Sequence, residues 1–210
     1  MATRETHLPG PSGGGRFAPE LTLGEARARL FAVSGFPPDG GYADAWVKLK
    51  LWRIPLAFPN TAGRRRAVRF HDLHHVLTEY PTTWRGEFEI AAWEVAGGVR
   101  RYWEGWLLDL LGFACGLVVF PRAVYRAFVR GRHSRNLYGD VWDEAILTRR
   151  VGEVRRRLGL DGEGVRPNGA DRAAFAFWGG VSVLTYAATG AVMLAPALAL
   201  FAAWWLWLAR

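Results

Sequence analysis

R-F-H-D-L-H-H-V-L-T-E-Y-P-T-T-W-R-G-E, residues 69–87, is the stretch on which the reading of this 210-residue chain turns. Asn60 or Thr61 can cap a helix from about Ala62 to Thr78, because a side-chain oxygen there accepts from the first-turn amides. Pro81, Thr82 and Thr83 make the turn out of it. A second helix is expected from close to Trp84, carrying Glu87, Ile90, Ala91, Val95 and Ala96 and loosening at Gly97-Gly98. On the first helix His71 and His75 are one turn apart, so both imidazoles can converge on one ion. Asp72 lies about 100° round, where its carboxylate can bind a metal, reach a metal-bound water or orient a histidine. Glu87 comes back over them from the second helix. Two imidazoles with one or two carboxylates suit Zn²⁺ and also resemble the ligand set of a non-haem Fe²⁺ site. His74 has a different bearing and is read as lying behind the ligands or at the surface. A solvated polar helix face would present much the same residues.

The rest of the composition bounds the partners. Half of the residues are apolar, with 11 Trp, so a sizeable core is available. The formal net charge of +8 suits an anionic partner such as an acidic phospholipid or a phosphate-bearing substrate. Nucleic acid is the weaker choice, since there is no zinc-finger spacing, ribonucleoprotein-type aromatic motif or helix-turn-helix. Cys115 is the single cysteine and reads as a small buried hydrophobe.

Working outward, residues 1–20 carry Gly, Pro and mixed polar groups without an apolar period and are expected to form a disordered arm. Thr22 and Glu25 have capping-box spacing for a helix through about Val33, ended by Gly35 and Pro37-Pro38. A further helix is expected over Tyr42 to Trp52, with Ala45, Leu49 and Trp52 along one side, before a loop at Pro55 and Pro59. Arg64, Arg65, Arg66 and Arg69 oppose the dipole of the helix they open, so they meet an anion or form a solvated face. Trp106 to Phe120 is apolar apart from Asp109, yet short for a full membrane span of about 20 residues. Pro121 opens a segment in which Arg122, Arg126 and Arg130 repeat every four residues, as on a surface helix or one lying among lipid headgroups. Trp142 to Leu158 reads as two short helices, and the domain over residues 21–160 gives way to a linker over 161–171.

From Ala173 to Ala209 no side chain is charged. One straight helix of that length would reach roughly 55 Å, against a hydrocarbon core of about 30 Å. The reading is therefore a membrane hairpin over residues 172–210, turning near Thr189-Gly190, with Trp204, Trp205 and Trp207 at an interface. Arg172 and Arg210 at its two ends place the helical domain on the cytoplasmic side by the positive-inside rule. The fold expected is all-α: one helical domain with a metal-binding helical hairpin, followed by a transmembrane helical hairpin.

His71, Asp72, His75 and Glu87, with eleven residues between the last two, reproduce the H-D-x-x-H-(eleven)-E signature. With H-D-L-H-H-V-L-T-E-Y, G-E-F-E-I-A from Gly86 and the closing V-W-D-E-A-I-L-T-R-R-V-G-E-V-R-R-R-L-G-L from Val141 to Leu160, the chain resembles the "Coq four" family of coenzyme Q (ubiquinone) biosynthesis proteins over about residues 37–160. The resemblance implies an all-helical fold and a divalent metal, usually zinc, on His71, Asp72, His75 and Glu87. It also implies membrane association and an isoprenoid lipid in an apolar cleft. Typical members lack a C-terminal membrane hairpin, and the segment from Tyr102 to Arg132 is unusually apolar and basic here.

The function expected is therefore that of a membrane-attached metalloprotein of ubiquinone biosynthesis. It would bind a polyprenylated aromatic quinone precursor and catalyse its oxidative decarboxylation, with Asp72 or Glu87 handling a proton. The competing expectation is a non-enzymatic scaffold that holds lipid intermediates and organises the other quinone-biosynthesis enzymes. A membrane-bound metal hydrolase is weaker, because no nucleophile or oxyanion motif accompanies the histidines.

Overall fold

Thr22 does cap the first helix, α1 (Leu23–Ser34): its hydroxyl accepts from Glu25 N–H while the Glu25 carboxylate accepts from Thr22 N–H. The structure, a computed structural model, describes residues 17–51, 54–161 and 165–208. The chain is mostly helical: α2 (Ala62–Thr78), α3 (Trp84–Gly97), α4 (Trp103–Val119), α5 (Pro121–Arg132), α6 (Val151–Leu158) and α7 (Gly169–Leu208) follow α1. Short 3₁₀ turns at Leu137–Gly139 and Glu144–Thr148 lie between α5 and α6.

One expected helix is a β-hairpin instead. Residues Trp46–Leu51 (β1) pair antiparallel with Ile54–Pro59 (β2), in the register Trp46↔Pro59 to Leu51↔Ile54. The overriding signal is the alternation of V-K-L-K-L, a period of two that the helical reading of Ala45, Leu49 and Trp52 passed over. Pro55 and Pro59 fit a two-stranded ribbon, because both of its strands are edges. Trp52, the expected end of that helix, is outside the described residues, as are 1–16 of the expected arm and 162–164 of the expected linker. Phe17 is no arm residue: it is 3 % exposed and belongs to the core.

Two apolar clusters hold the helices together. The first joins Leu23 and Leu30 of α1, Phe70, Leu73 and Leu77 of α2, and Trp93 of α3 to Tyr138, Val151 and Val154. The second joins Phe88, Ala92 and Val95 of α3, Leu110 and Phe113 of α4, and Val124 and Phe128 of α5. Helix α3 belongs to both and packs against α4 and α5. Its close approach to the preceding loop needs Gly86, where a Cβ would collide with the Pro81 carbonyl.

The C-terminal segment also departs from expectation. It is one continuous helix, α7, with no turn at Thr189-Gly190. A lone glycine costs a helix about 1 kcal/mol relative to alanine but does not end it, and the first proline after it, Pro196, lies inside the helix. From Gly169 to Phe201 α7 is long and apolar enough to cross a membrane, by length and composition. A single pass would put the two ends of α7 on opposite faces, so the expectation of a cytoplasmic domain, which took both ends to lie on one side, does not carry over. The start of α7 is clamped: Asn168 and Asp171 cap each other reciprocally, and Asp171 accepts from Arg132 Nε at 2.7 Å. Ala174, Phe175, Trp178 and Val181 then pack into the second cluster.

Candidate metal centre

Helix α2 ends just beyond the histidines because its last carbonyls find side-chain partners. Arg155 donates to the Val76 and Leu77 carbonyls, and Arg130 donates to that of Thr78 at 2.8 Å. Glu79 takes the left-handed conformation at φ 66°, sending its N–H back to the His75 carbonyl. The chain is thereby turned so that the Tyr80 carbonyl faces His75 Nδ1 at 2.9 Å.

That contact sets a tautomer. A carbonyl only accepts, so His75 Nδ1 carries the proton and Nε2 of the neutral ring is left with a lone pair. His71 is arranged the same way by another group: its Nδ1 is 3.1 Å from both carboxylate oxygens of Glu94. The two Nε2 atoms face each other at 3.1 Å. Glu87, from the first turn of α3, closes the triangle, with Oε2 at 3.4 Å from His71 Nε2 and Oε1 at 3.4 Å from His75 Nε2.

Two lone pairs and a carboxylate converging in this way repel one another unless something positive lies among them. A tetrahedral ion with bonds of about 2.0–2.1 Å has donor–donor edges of about 3.3–3.4 Å, close to those observed. His71, His75 and Glu87 can therefore hold a metal ion. Burial pulls the His71 pKa down, but Glu94 and Glu87 more than offset this and hold it well above the usual imidazole value. Burial pushes Glu87 up, and His75 and His71 outweigh that, keeping it well below the usual carboxylate range.

Asp72 is not in this cluster. It is buried on the adjoining face of α2 and accepts a hydrogen bond from the Tyr42 hydroxyl at Oδ2. Burial raises its pKa, against the opposing pull of His71 and the Tyr42 bond. His74 is fully buried, and the Leu137 N–H donates to its Nε2 at 2.9 Å. Its proton is consequently on Nδ1, directed at Glu94 Oε1 at 2.5 Å, and burial, which lowers its pKa, keeps the ring neutral.

Glu94 is the residue that the sequence reading missed. It is 0 % exposed and takes hydrogen bonds from His71, His74 and the Tyr138 hydroxyl, so one carboxylate orients two imidazoles. Burial works against its charge, and His71 and then His74 more than compensate, holding it well below its usual range. The available signal was its place two turns after Glu87 on the same helix. Asp109, the one charge in the apolar run, comes in from α4, and His71, Glu94 and Asp109 bring donor atoms within 4.8 Å of one another. Its Oδ2 has no hydrogen-bond partner among the described residues, and burial followed by repulsion from Glu94 raises its pKa far above the usual range. It is a neutral acid beside an ionised one. Three of the four basic residues that open α2 are engaged within the chain: Arg64 donates to Asn60 Oδ1 at 2.9 Å, Arg65 donates to the Asn60 carbonyl, and Arg69 lies over the Tyr42 and Trp142 rings, while Arg66 is exposed.

No family model matches the chain, and neither a curated protein nor a solved structure matches it.

Proposed function

We propose that this chain is a membrane-attached metalloprotein of ubiquinone biosynthesis, acting on a polyprenylated aromatic precursor. The observation that carries the reading is the pair of facing Nε2 atoms of His71 and His75, 3.1 Å apart with Glu87 beside both. The gapped H-D-x-x-H-(eleven)-E spacing supports the assignment to quinone chemistry, and the length and apolarity of α7 support attachment to a membrane.

Zn²⁺ or Fe²⁺ held by His71, His75 and Glu87 would supply Lewis-acid polarisation of a ring carboxylate or hydroxyl, and Fe²⁺ alone would add redox capacity. The rest falls to the chain. Glu94 fixes the His71 ring and, through its charge, makes it a stronger donor. The Tyr80 carbonyl does the same for His75. Asp72, hydrogen-bonded to Tyr42, is the proton handler next to the histidines, since Glu87 is already committed to them. The apolar segment 106–120 would shelter the prenyl tail.

The scaffold alternative draws on the exposed Leu107 and Leu108 of α4, which suit contact with lipid or a partner enzyme. The His75→Ala variant separates the two readings when quinone content, bound metal and partner association are followed together. Lost quinone production with folding and partner association intact supports catalysis. Unchanged quinone production after loss of the metal sinks the catalytic reading and leaves the scaffold.

A further inference from the structure

Several large apolar side chains of the folded domain are left in solvent at one corner, where α4 passes into α5. Val118 is 84 % and Val119 57 % exposed, and Trp84 at the start of α3 is 45 % exposed. These side chains are joined beneath the surface: the Trp84 ring lies 5.9 Å from Phe88, and Phe88 lies 6.3 Å from Phe120. Behind them α5 carries four arginines and no acidic residue, with Arg122 and Arg126 exposed.

The course of α7 fixes the height of this corner. Asp171 is clamped to Arg132 and His133 at the C-terminal end of α5. Four residues on, Phe175 meets Tyr125 and Phe128, so α7 runs up α5 towards that helix's N-terminus. A Cβ on Gly179 would lie 3.4 Å from Leu117 Cδ1, which brings the C-terminal end of α4 level with residue 179. One turn farther along, Val183, Leu184 and Tyr186 are exposed, and α7 has left the domain. From Val183 to Leu208 it extends roughly 39 Å at about 1.5 Å per residue, sufficient for a hydrocarbon core of about 30 Å. The bilayer that α7 can cross therefore begins where Val118 and Val119 protrude.

We infer that the corner formed by residues 118–122, with Trp84 beside it, seats in the surface of the bilayer that α7 crosses, its valines among the acyl chains and its arginines among anionic headgroups. A bilayer fits better than a protein partner because the apolar tip is continuous with a lipid-length helix and is backed by a helix, α5, that carries arginines and no acidic residue. The inference rests on the premise of the proposed function that α7 is inserted.

The test uses the full chain in vesicles of phosphatidylcholine and phosphatidylglycerol, with Cys115→Ala as background. Nitroxide labels are placed singly through Val118→Cys, Val119→Cys, Leu194→Cys on α7 and Val141→Cys on the far loop, all at exposed positions. Oxygen is expected to reach labels 118, 119 and 194 more readily than a nickel chelate does, with the order reversed at 141. Nickel access at 118 and 119 equal to that at 141, with 194 still in lipid, overturns the corner and leaves the α7 anchor standing. Nickel access at 194 overturns the anchor and the corner together. Exclusion of both probes at 118 and 119 with spin–spin broadening means that a second copy of the chain covers the corner, which also overturns the inference.

Discussion

Nε2 of His71 and Nε2 of His75 stand 3.1 Å apart, each ring having given its Nδ1 proton to an acceptor on the far side. The cation that relieves this confrontation is a proton or a metal, and the two compete.

Competition makes metal affinity depend on pH in a definite direction. The pKa of His71 is held well above its ordinary value by Glu94 and Glu87 despite burial, so the metal-free protein keeps a proton there near neutrality. Metal binding must expel it. Below that raised pKa, apparent affinity should fall about tenfold for each pH unit while one proton is displaced. Without metal, the stability that His71 contributes is complete below its unfolded pKa and is lost as pH rises through the folded one. The loaded protein should show the opposite trend. Competition titrations with a zinc chelator and thermal unfolding, each across about pH 6 to 9, check both signs. A pH-independent affinity would mean that His71 is not a ligand.

Glu94→Gln should damage the centre without touching a ligand. The amide presents one acceptor and one donor where three hydrogen bonds now end, so a histidine N–H or the Tyr138 hydroxyl loses its partner. Metal affinity should drop about 10- to 100-fold. Folding stability should fall by about 1–3 kcal/mol, the usual cost of an unsatisfied buried group. Metal content by elemental analysis and denaturant unfolding read the two effects separately.

Asp109→Asn should stabilise the protein. Burial and Glu94 hold the Asp109 carboxyl neutral far above the pH at which it ionises in the unfolded chain. Its stabilising contribution is complete below the unfolded value and is lost as pH rises towards the folded one, by at most about 1.4 kcal/mol per unit. Asparagine keeps the shape and removes that slope. The variant should be less stable than wild type relative to its own acid-side value nowhere between about pH 4 and 8, and its midpoint should exceed wild type at neutral pH. Parallel melting curves at acid and neutral pH decide the matter.

The parts of the fold governed by local chemistry could be read from the sequence. Thr22 with Glu25, Thr61 before Ala62, and Pro81 to Thr83 each fix a helix end within a few residues, and each does so in the structure. His71, His75 and Glu87 could be grouped because a helix and a short turn determine their relative bearings. Glu94, Asp109 and Tyr138 could not, because α3, α4 and a 3₁₀ turn meet only through tertiary packing. The V-K-L-K-L strand was lost to a coincidental helical spacing at Ala45, Leu49 and Trp52. The unbroken α7 was missed because a residue count sets the length of an apolar run and says nothing about where it bends.

Packing at the root of α7 makes the domain boundary itself testable. A tether would leave residues 21–160 able to fold alone, yet Phe175 is wedged against Phe113, Tyr125 and Phe128, and Trp178 stacks on Trp106 at 5.2 Å. Ending the chain at Leu160 uncovers all of these partners and removes the Asp171 clamp on Arg132 and His133. Ending it at Thr185 keeps the packed turns and discards only the exposed ones. The shorter chain should aggregate or melt well below the longer one, and Phe175→Ala in the longer chain should cost about 2 kcal/mol, less than a fully buried aromatic because Phe175 is only partly buried. Equal melting temperatures for the two truncations would show that α7 is merely an anchor, and that the second apolar cluster is complete without it.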